Sequence, residues 1–408
     1  MKESDKKFWL YIEPDVYCNI KDNKLFLYKT KNNTVIENTS SEIISLIQSL
    51  YEKHNLGAVY FDGENLKNTI FSDFIDEFCR KQMGNIVDTR FVTKKPIQLM
   101  PVLNLQHDIE KNKDSVGEGI LSYLTEVNLY INQVCLVNCH FCNDYYRQNL
   151  CCTKKNEKDE ISSVNTLKKL LEQIKYSPVS KLNILGGNIL QHPYIKNFIP
   201  ALSDFKEFTY LWIHYKNIVI HKGDFYDFKY VIPVTFPIDK TSFTNCISLM
   251  KDKQVSYHFF ITNKNEYHQL EQLTTENEIK DYKISPFYTK NNQAFFEENI
   301  YLNKEDIFVE RIPFRKIFAH QKLNTISFGS LTIMPDGNVY ANVNSPVIGN
   351  IKTDSILCLI DKEMRINTAW RKIRNKKPCN DCSYQYLCPS PSNYELAIGK
   401  PNLCHVKP

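Results

Sequence analysis

The chain has 408 residues, with 51 Lys and Arg against 46 Asp and Glu, so its formal net charge is +5. This length allows two or three domains with a large core, at roughly 100 to 200 residues per domain. Charges of both signs are scattered along the chain, which indicates a solvated surface and excludes a basic nucleic-acid stripe. Residues 1–13 lack the apolar stretch of a signal peptide and nowhere do 18 apolar residues run together, so we expect a cytoplasmic protein without membrane contact.

Short β-type runs open the chain. Residues 17–20, 25–29 and 35–36 alternate apolar and polar side chains between polar turn sequences, which predicts a small antiparallel sheet. Thr39 and Glu42 form a capping box, which predicts that a helix begins here. A second helix is predicted from apolar side chains at helical spacing, namely Phe71, Phe74, Ile75, Phe78 and Cys79.

Three strands followed by helices resemble the small winged-helix recognition domain of peptide-modifying systems, similar to the peptide chaperone of pyrroloquinoline quinone biosynthesis. The resemblance covers residues 1–91 and implies that a leader peptide adds as a strand to the sheet edge. A generic N-terminal α+β domain is the alternative. Residues 92–121 contain Pro96 and a polar run at 107–113, a composition typical of a linker.

Residues 122–325 alternate β-type runs with helical patterns. One intervening helix is clear, Val164–Ile174, whose leucines recur at helical spacing. Such alternation predicts an α/β fold with a parallel sheet, although periodicity alone fits a partial barrel and a doubly wound sheet equally. The predicted strands are residues 127–131, 182–185, 208–213, 230–234, 256–262 and 283–288.

Seven of the thirteen cysteines lie in two groups, which in a cytosolic chain indicates metal rather than disulfides. In the first group, Cys135, Cys139 and Cys142 are spaced by three and two residues directly after the first predicted strand of the sheet. Three thiolates in one short loop can meet at one centre, and they select iron-sulfur clusters, zinc or Cu(I). The alternative is that they are small buried hydrophobic residues. The loop gives no reason for the side chain of His140 to turn inward, so we do not expect this residue to be a further ligand.

Two further cysteines follow closely, Cys151 and Cys152. We interpret them as packing residues or as thiols that could interfere with assembly of a cluster in the neighbouring loop.

The three cysteines, with aromatic Phe141 before the last, resemble the CxxxCxΦC loop of radical S-adenosylmethionine (SAM) enzymes. The resemblance implies a [4Fe-4S] cluster whose open iron binds SAM, and a 5'-deoxyadenosyl radical that removes a hydrogen atom from substrate. It also implies a partial (β/α)6 barrel of TIM type with its chemistry at the carboxyl ends of the strands, adenine flanked by Phe141, and a reductase or flavodoxin-type electron donor.

The second predicted strand of the sheet is followed by Gly186, Gly187 and Asn188, where the family carries Gly-Gly-Glu to meet the amino group of SAM. Glycines allow the backbone to approach a ligand closely. Asn188 can accept a hydrogen bond from the ammonium but brings no charge, a loss of about 1 kcal/mol or more. We therefore expect these three residues to bind the cofactor, with weaker SAM binding or none as the consequence of Asn188.

Residues 326–408 form the C-terminal region, in which Pro335-Asp336-Gly337 predicts a hairpin between two β-type runs. Four further thiolates follow, which is the number that closes a metal site. The pattern resembles the SPASM extension of radical SAM peptide maturases, and it matches the ligands of the second auxiliary cluster: Cys379, Cys382, Cys388 and Cys404.

The ligand positions of the first auxiliary cluster are replaced. They hold Ala341 and Asn342, Asp354, and Ser392, so one site is absent and the other complete. We expect a single auxiliary [4Fe-4S] cluster. A zinc site is the alternative, because four cysteines with a CxxC pair suit zinc equally.

Together these features predict a radical SAM maturase that modifies a ribosomally made precursor peptide held through its leader. The replaced Asn188 and the missing first auxiliary site leave a second possibility, a weakly active or inactive subunit that presents the peptide to a partner maturase. A small-molecule radical enzyme without a peptide substrate is a third.

Overall fold

The computed structural model describes residues 6–101, 119–152 and 163–407. Its elements alternate between strand and helix along most of the chain. The strands are β1 (Lys7–Ile12), β2 (Val16–Lys21), β3 (Lys24–Lys29), β4 (Val35–Asn38), β5 (Ala58–Asp62), β6 (Gly84–Asp88), β7 (Glu126–Tyr130), β8 (Lys181–Leu185), β9 (Thr209–Trp212), β10 (Lys229–Thr235), β11 (Val255–Ile261), β12 (Tyr282–Pro286), β13 (Ser330–Ile333), β14 (Asn338–Tyr340) and β15 (Gly349–Asn350).

The α-helices are short, and helices of such length are only marginally stable in isolation. Packing against each other and against the sheets therefore stabilises them. They are α1 (Ser41–Tyr51), α2 (Thr69–Arg80), α3 (Cys142–Gln148), α4 (Val164–Ile174), α5 (Ile195–Ala201), α6 (Tyr215–Ile220), α7 (Lys240–Leu249), α8 (Lys264–Glu276), α9 (Gln293–Asn299), α10 (Lys304–Ile307), α11 (Phe314–Lys322), α12 (Ile356–Ile366) and α13 (Asn393–Ile398).

The N-terminal part contains two antiparallel sheets. β2, β3 and β4 pair in chain order, as the sequence predicts. A second sheet, with β1 between β5 and β6, was not predicted. Its strands meet only after α1 and α2 have intervened, so no local turn signals the pairing. The predicted arrangement, three strands followed by helices, therefore omits one of the two sheets in the N-terminal part.

The first helix has a different cap from the predicted one. The hydroxyl of Ser40, not Thr39, accepts the backbone N–H of Ile43 at 3.4 Å, and it donates to Glu42 at 2.7 Å. The capping box at Thr39 is therefore wrong by one residue, since Ser and Thr cap equally well and the sequence alone leaves the choice open. The predicted second helix is α2, which buries Phe74, Ile75 and Phe78.

The large sheet has, among the described residues, the strand order β12-β11-β10-β9-β8-β7-β13-β14-β15. β7 to β12 are parallel and lie in chain order, which confirms the six predicted strands to within about two residues at each end. In a doubly wound sheet the direction of the strand order reverses part-way along the chain. From β7 to β12 no such reversal occurs. β13 joins β7 in parallel, and β14 turns back from it through the predicted hairpin at Pro335-Asp336-Gly337.

The main core lies between this sheet and its helices. α4 has the predicted bounds and buries Leu167, Leu170, Leu171 and Ile174 in the same apolar cluster as the strand residue Leu182. Full burial of each such side chain contributes about 1.5–3 kcal/mol. The alternation of apolar strands and one-sided helices thus positions the carboxyl ends of the parallel strands at one edge of the sheet.

The sheet of β2, β3 and β4 packs against the C-terminal part of the chain. Asn19 donates to the carbonyl of Ser383 at 2.8 Å, and the Lys21 ammonium donates to the carbonyl of Asn380 and to the side chain of Gln385. An apolar cluster joins the same two parts and consists of Tyr17, Phe26, Tyr28, Ile307, Ile312, Ile317, Tyr384 and Leu387. The N-terminal sheet is therefore fastened to the cysteine-bearing segment.

The predicted domain boundaries at residues 91, 121 and 325 remain predictions. Part of the predicted linker, residues 102–118, lies outside the described residues. No helix in the ranges that the structure describes is long and apolar enough to cross a bilayer.

A buried carboxylate holds the end of α12. Glu363 has no exposed surface and accepts hydrogen bonds from the backbone N–H groups of Thr368, Ala369 and Trp370 at 2.8–3.1 Å and from the Thr368 hydroxyl at 2.6 Å. The substitution Glu363→Ala leaves these donors without a partner, so we expect it to lower the free energy of unfolding by at least about 3 kcal/mol. Urea unfolding measures the change.

Asp361 provides the control for this prediction. It lies on the same helix and pairs with the exposed Arg365 at 2.8 Å. Because an exposed ion pair is worth only about 0.3–0.5 kcal/mol, Asp361→Ala should change stability little. Equal losses for the two variants would contradict the role assigned to Glu363.

Candidate functional site

The loop after β7 brings its three cysteines together. Cys135, Cys139 and Cys142 all line one cavity of about 10 Å³. Cys142 begins α3, and its backbone N–H donates to the carbonyl of Cys139 at 3.1 Å. Asn138 and Phe141 have left-handed φ angles of 48° and 59°, which reverse the chain between the cysteines. A bulky residue such as Phe141 adopts this conformation at a cost of about 1–2 kcal/mol, so the fold imposes the turn.

The cavity lies at the carboxyl ends of the parallel strands. Gly187 follows β8, His214 follows β9, Thr235 ends β10, and all three line the cavity with the cysteines. Ligand sites of α/β sheets are found at this edge because loops from neighbouring strands converge there. The three cysteines lie at this edge, and their role as ligands stays a prediction.

Two buried polar residues next to the cavity were not predicted. Burial, together with the charge of Lys216, lowers the pKa of His214 to about 3, so its ring is neutral near pH 7, and its Nε2 lies 3.1 Å from Thr235 Oγ1. Asn217 is fully buried and its Nδ2 donates to Cys135 Sγ at 3.4 Å. Neither residue belongs to a sequence motif, and only their position just after β9 could have indicated them.

The two glycines after β8 allow close contact with the cysteine loop. Their φ angles are 117° and 48°, and a Cβ on Gly186 or Gly187 would lie 2.3 Å from the Asn132 carbonyl oxygen or 2.2 Å from that of Val134. The neighbouring backbone N–H of Asn188 donates to Val134 at 2.7 Å. The glycines are therefore required for packing of the two loops, a reason that the sequence did not supply.

The Asn188 side chain is only 2% exposed and does not line the cysteine cavity. Its Oδ1 accepts the backbone N–H of Leu190 at 3.2 Å and so caps a short 3₁₀-helix, while its carbonyl accepts from the Asn132 side chain at 3.0 Å. A carbonyl oxygen has a second lone pair, so this cap leaves room for a further hydrogen bond. Contact with SAM remains a prediction.

The aromatic residue of the cysteine motif faces an apolar wall. The ring of Phe141 lies 5.4 Å from that of Phe287 and 3.9 Å from that of His140. His140 is exposed and does not line the cavity, as expected for a residue that is not a ligand. The predicted contact of Phe141 with adenine remains a prediction.

Cys151 and Cys152 line the same cavity as the three loop cysteines. Their side chains are 2% and 8% exposed and lie in an apolar cluster with Tyr145, Phe260 and Phe287. Their burial agrees with the packing role predicted for them. Their position beside the other three thiols is a result that sequence spacing could not give, because α3 lies between the two groups.

The second cavity unites the four C-terminal cysteines. It has a volume of about 30 Å³ and is lined by Cys379, Cys382, Cys388 and Cys404. The last of these is brought back by a bridge to Leu302, whose backbone N–H donates to Leu403 at 3.0 Å. The four residues therefore lie around one cavity, and their role as metal ligands stays a prediction.

Side chains next to this cavity point hydrogen-bond donors at the sulfurs. Asn402 Nδ2 lies 3.1 Å from Cys404 Sγ, and Arg374 Nη1 lies 3.9 Å from Cys379 Sγ. Arg374 is held by a nearly buried ion pair with Glu395 at 2.7 Å. Such partners orient thiolate ligands and compensate their charge, so the donor set fits a metal centre that carries several thiolates.

The three positions that replace the first auxiliary site are engaged in other hydrogen bonds. Asn342 Nδ2 donates to Asn393 Oδ1 at 2.7 Å, Asp354 accepts the backbone N–H of Asn350 at 3.0 Å, and Ser392 caps α13. These residues complete local structure.

In the described parts of the chain, no group of three or more His, Cys, Asp or Glu side chains is arranged to hold a single metal ion. In both cysteine cavities the thiols surround a space.

A third cavity of about 630 Å³ is lined by residues of several strands of the large sheet. Aromatic side chains line one part of it and charged side chains at the amino ends of the strands line another, so it offers both stacking surfaces and hydrogen-bond partners. Its lining includes Tyr130, Tyr146, Trp212, His258, Glu126, Lys181 and Lys283.

No family model and no curated protein matches the chain. Crystal structures of Streptococcus suis SuiB are similar to it at 14% identity. SuiB bound to precursor peptide SuiA gives a TM-score of 0.46 over 98% of this chain and 99% of SuiB. SuiB bound to S-adenosylmethionine gives 0.47 over 96% and 97%, and SuiB alone gives 0.47 over 97% and 100%.

Proposed function

We propose that the protein is a radical SAM enzyme that modifies a ribosomally made peptide. The observation that carries this proposal is the convergence of Cys135, Cys139 and Cys142 on one cavity at the carboxyl edge of a parallel sheet whose strands follow in chain order. Three thiolates in one cavity suit a [4Fe-4S] cluster with one iron open for SAM. When bound, cluster and SAM supply the radical that removes a hydrogen atom from substrate.

The surrounding residues prepare this cavity for thiolate ligands. Asn217 donates to Cys135, which fixes the direction of that side chain. Tyr145, Phe260 and Phe287 form an apolar wall beside the cysteines and limit the access of water. The loop that contains Gly187 packs closely on the loop that contains the three cysteines, and this contact fixes the arrangement.

The precursor peptide has two candidate binding surfaces. Its leader would add as a strand to an edge of an N-terminal sheet, where backbone hydrogen bonds give affinity. Its core would enter the 630 Å³ cavity, whose aromatic and charged lining suits peptide side chains. This cavity includes Tyr146 of α3, which begins at Cys142, so substrate in it would lie next to the cysteine site.

The C-terminal cysteines would hold one auxiliary [4Fe-4S] cluster. Four protein thiolates leave no open position, so this centre would carry an electron or fix structure and would not bind substrate. Arg374 and Asn402, which point N–H groups at the sulfurs, would compensate its negative charge. Zinc at the same four cysteines is the alternative, and iron and zinc analysis of the variant that lacks Cys135, Cys139 and Cys142 separates the two.

Reductive cleavage of SAM tests the proposed reaction. The anaerobically reconstituted protein, reduced with dithionite or a flavodoxin-type donor, should convert SAM to 5'-deoxyadenosine, and a precursor peptide should increase the yield. Product is measured by liquid chromatography. Absence of 5'-deoxyadenosine from protein that contains a full set of iron would overturn the enzyme proposal.

A second candidate function is a subunit that binds the peptide and presents it to a partner maturase. It is favoured by Asn188, whose side-chain oxygen caps a 3₁₀-helix and carries no charge for the SAM ammonium. In that case the protein would bind precursor peptide without cleaving SAM, and activity would appear only when the partner maturase is added.

Restoring a carboxylate after the two glycines should strengthen SAM binding. Asp caps a helix as well as Asn does, so Asn188→Asp keeps the bond to Leu190 and adds a charge-assisted contact of about 1 kcal/mol, or about fivefold in Kd. Equilibrium dialysis with SAM measures it. Asn188→Ala, which loses both cap and acceptor, should bind SAM more weakly than the original protein. Identical affinities of all three would contradict a contact at this position.

A further inference from the structure

The cysteine cavity contains more thiols than the proposed cluster uses. Cys135, Cys139 and Cys142 provide three ligands, and Cys151 and Cys152 line the same space from the chain that follows α3. Nothing in the motif assigns a role to this pair. Any small apolar residue could pack at these two positions, so packing alone does not explain why both residues are cysteines.

The positions of the pair place both thiols within reach of the loop cysteines. Cys151 and Cys152 line the same cavity of about 10 Å³ as Cys135, Cys139 and Cys142. The pair therefore faces the space between the three predicted ligands.

The pair is held in place from both sides. The carbonyl of Cys151 accepts the Tyr130 hydroxyl at 2.9 Å, and both side chains pack in the apolar cluster with Tyr145, Phe260 and Phe287. These contacts fix the backbone of the pair against β7 and the ends of β11 and β12. A thiol fixed in this way can act as a ligand without a large movement of the chain.

We infer that the Cys151–Cys152 pair supplies a fourth thiolate ligand to the metal centre of the three-cysteine cavity when SAM is absent. The inference rests on the proposed cluster but concerns how its open position is protected. One thiol of the pair would hold the metal centre together with the three loop cysteines and would release its proton to solvent when it does so. When SAM takes that position instead, the released thiolate would take up a proton again.

Oxidation of the reconstituted protein tests the assignment. A cluster with three protein thiolates loses its open iron on mild oxidation and becomes a [3Fe-4S] cluster, which has its own EPR signal, whereas a fourth thiolate retains that iron. The full-length protein without SAM should give a weak signal after ferricyanide treatment. The Cys151→Ala, Cys152→Ala double variant should give a signal at least about fivefold stronger. The two single variants show which thiol is the ligand.

Cys246→Ala provides the matched control, because this cysteine is fully buried in α7 and lines neither cysteine cavity. It should behave as the original protein does. The four C-terminal cysteines are unchanged in all variants, so their contribution cancels in the comparison. Equal [3Fe-4S] signals in the original protein and the double variant would overturn the inference.

A second measurement covers the case in which the double variant does not assemble a cluster. The original protein is loaded with iron and sulfide, and the rate of iron release to a chelator is followed with and without SAM analogues. Slow release from the original protein and from the single variant that keeps the ligating thiol, with faster release from the other single variant, supports the inference. Rapid release of one iron from the original protein overturns it. Neither readout needs SAM cleavage, so failure of the proposed reaction would be seen separately.

Discussion

Replacement of Cys135, Cys139 and Cys142 by alanine should remove about four of about eight irons from the anaerobically reconstituted protein and abolish reductive cleavage of SAM. The reason is that these three side chains converge with Gly187, His214 and Thr235 at the carboxyl edge of the described sheet. Iron and sulfide analysis measures the first effect. Chromatography of 5'-deoxyadenosine measures the second. EPR of the reduced protein with and without SAM reports binding, since SAM should perturb the signal of the original protein only.

The control for this experiment is Cys358→Ala, at a half-buried position on α12 that lines neither cysteine cavity. It should keep all its iron. About four irons that survive the triple substitution, in a protein whose original form also held about four and whose EPR signal ignores SAM, would contradict the enzyme proposal. The protein would then be a scaffold with one C-terminal centre.

Loss of the C-terminal metal centre should release the N-terminal sheet. Between Trp370 and α13 the described chain has only the short 3₁₀-helix Cys379–Asp381, so metal ligation would supply much of its order. The same segment receives Lys21 and Asn19 from the N-terminal sheet. For the double substitution Cys382→Ala, Cys388→Ala we expect a destabilisation of about 5 kcal/mol, or about 10–20 °C in the unfolding midpoint.

Hydrogen exchange locates this effect. Amides of β2 and β3 should exchange faster in the double variant than in the metal-loaded protein, because their anchoring segment is no longer fixed. Those of β10 and β11 should change little. Faster exchange over the whole chain, or none in β2 and β3, would contradict the coupling.

The substitution Lys21→Met distinguishes the effect of the Lys21 hydrogen bonds from the effect of metal binding. It removes the hydrogen bonds to Asn380 and Gln385 but leaves all four cysteines, so β2 should loosen while metal content stays the same. Lys67→Met is the matched control, since Lys67 is exposed and pairs only with Glu64 in the described structure. Loss of metal from the Lys21 variant would show that the sheet holds the cysteine segment as much as the reverse.

Much of the fold was predictable because its signals are local. The six parallel strands are apolar runs between helical patterns, and the hairpin depends on three consecutive residues, Pro335-Asp336-Gly337, so each could be read without knowledge of distant parts. The cap of α1 was misplaced by one residue because Thr39 and Ser40 are chemically equivalent there. The β1-β5-β6 sheet was missed since its strands are joined by no short turn.

Part of the candidate site was likewise predictable from local sequence, and part depends on contacts between distant segments. Spacing along the chain was enough to group Cys135, Cys139 and Cys142, and it was enough to group the four C-terminal cysteines. It could not show that Asn217 donates to Cys135, or that the glycines after β8 pack on the cysteine loop. Those contacts join parts of the chain that carry no common motif.

The sequence by itself determined the types of ligand, the alternation of strand and helix, and the absence of a charged stripe, because these depend on residue identity and short spacing. Only the tertiary structure decided that Cys151 and Cys152 share a cavity with the loop cysteines and that Lys21 reaches the C-terminal cysteine segment. The physical reason is that such contacts follow from how strands and helices pack in three dimensions. Packing depends on the whole buried surface, and no short segment records it.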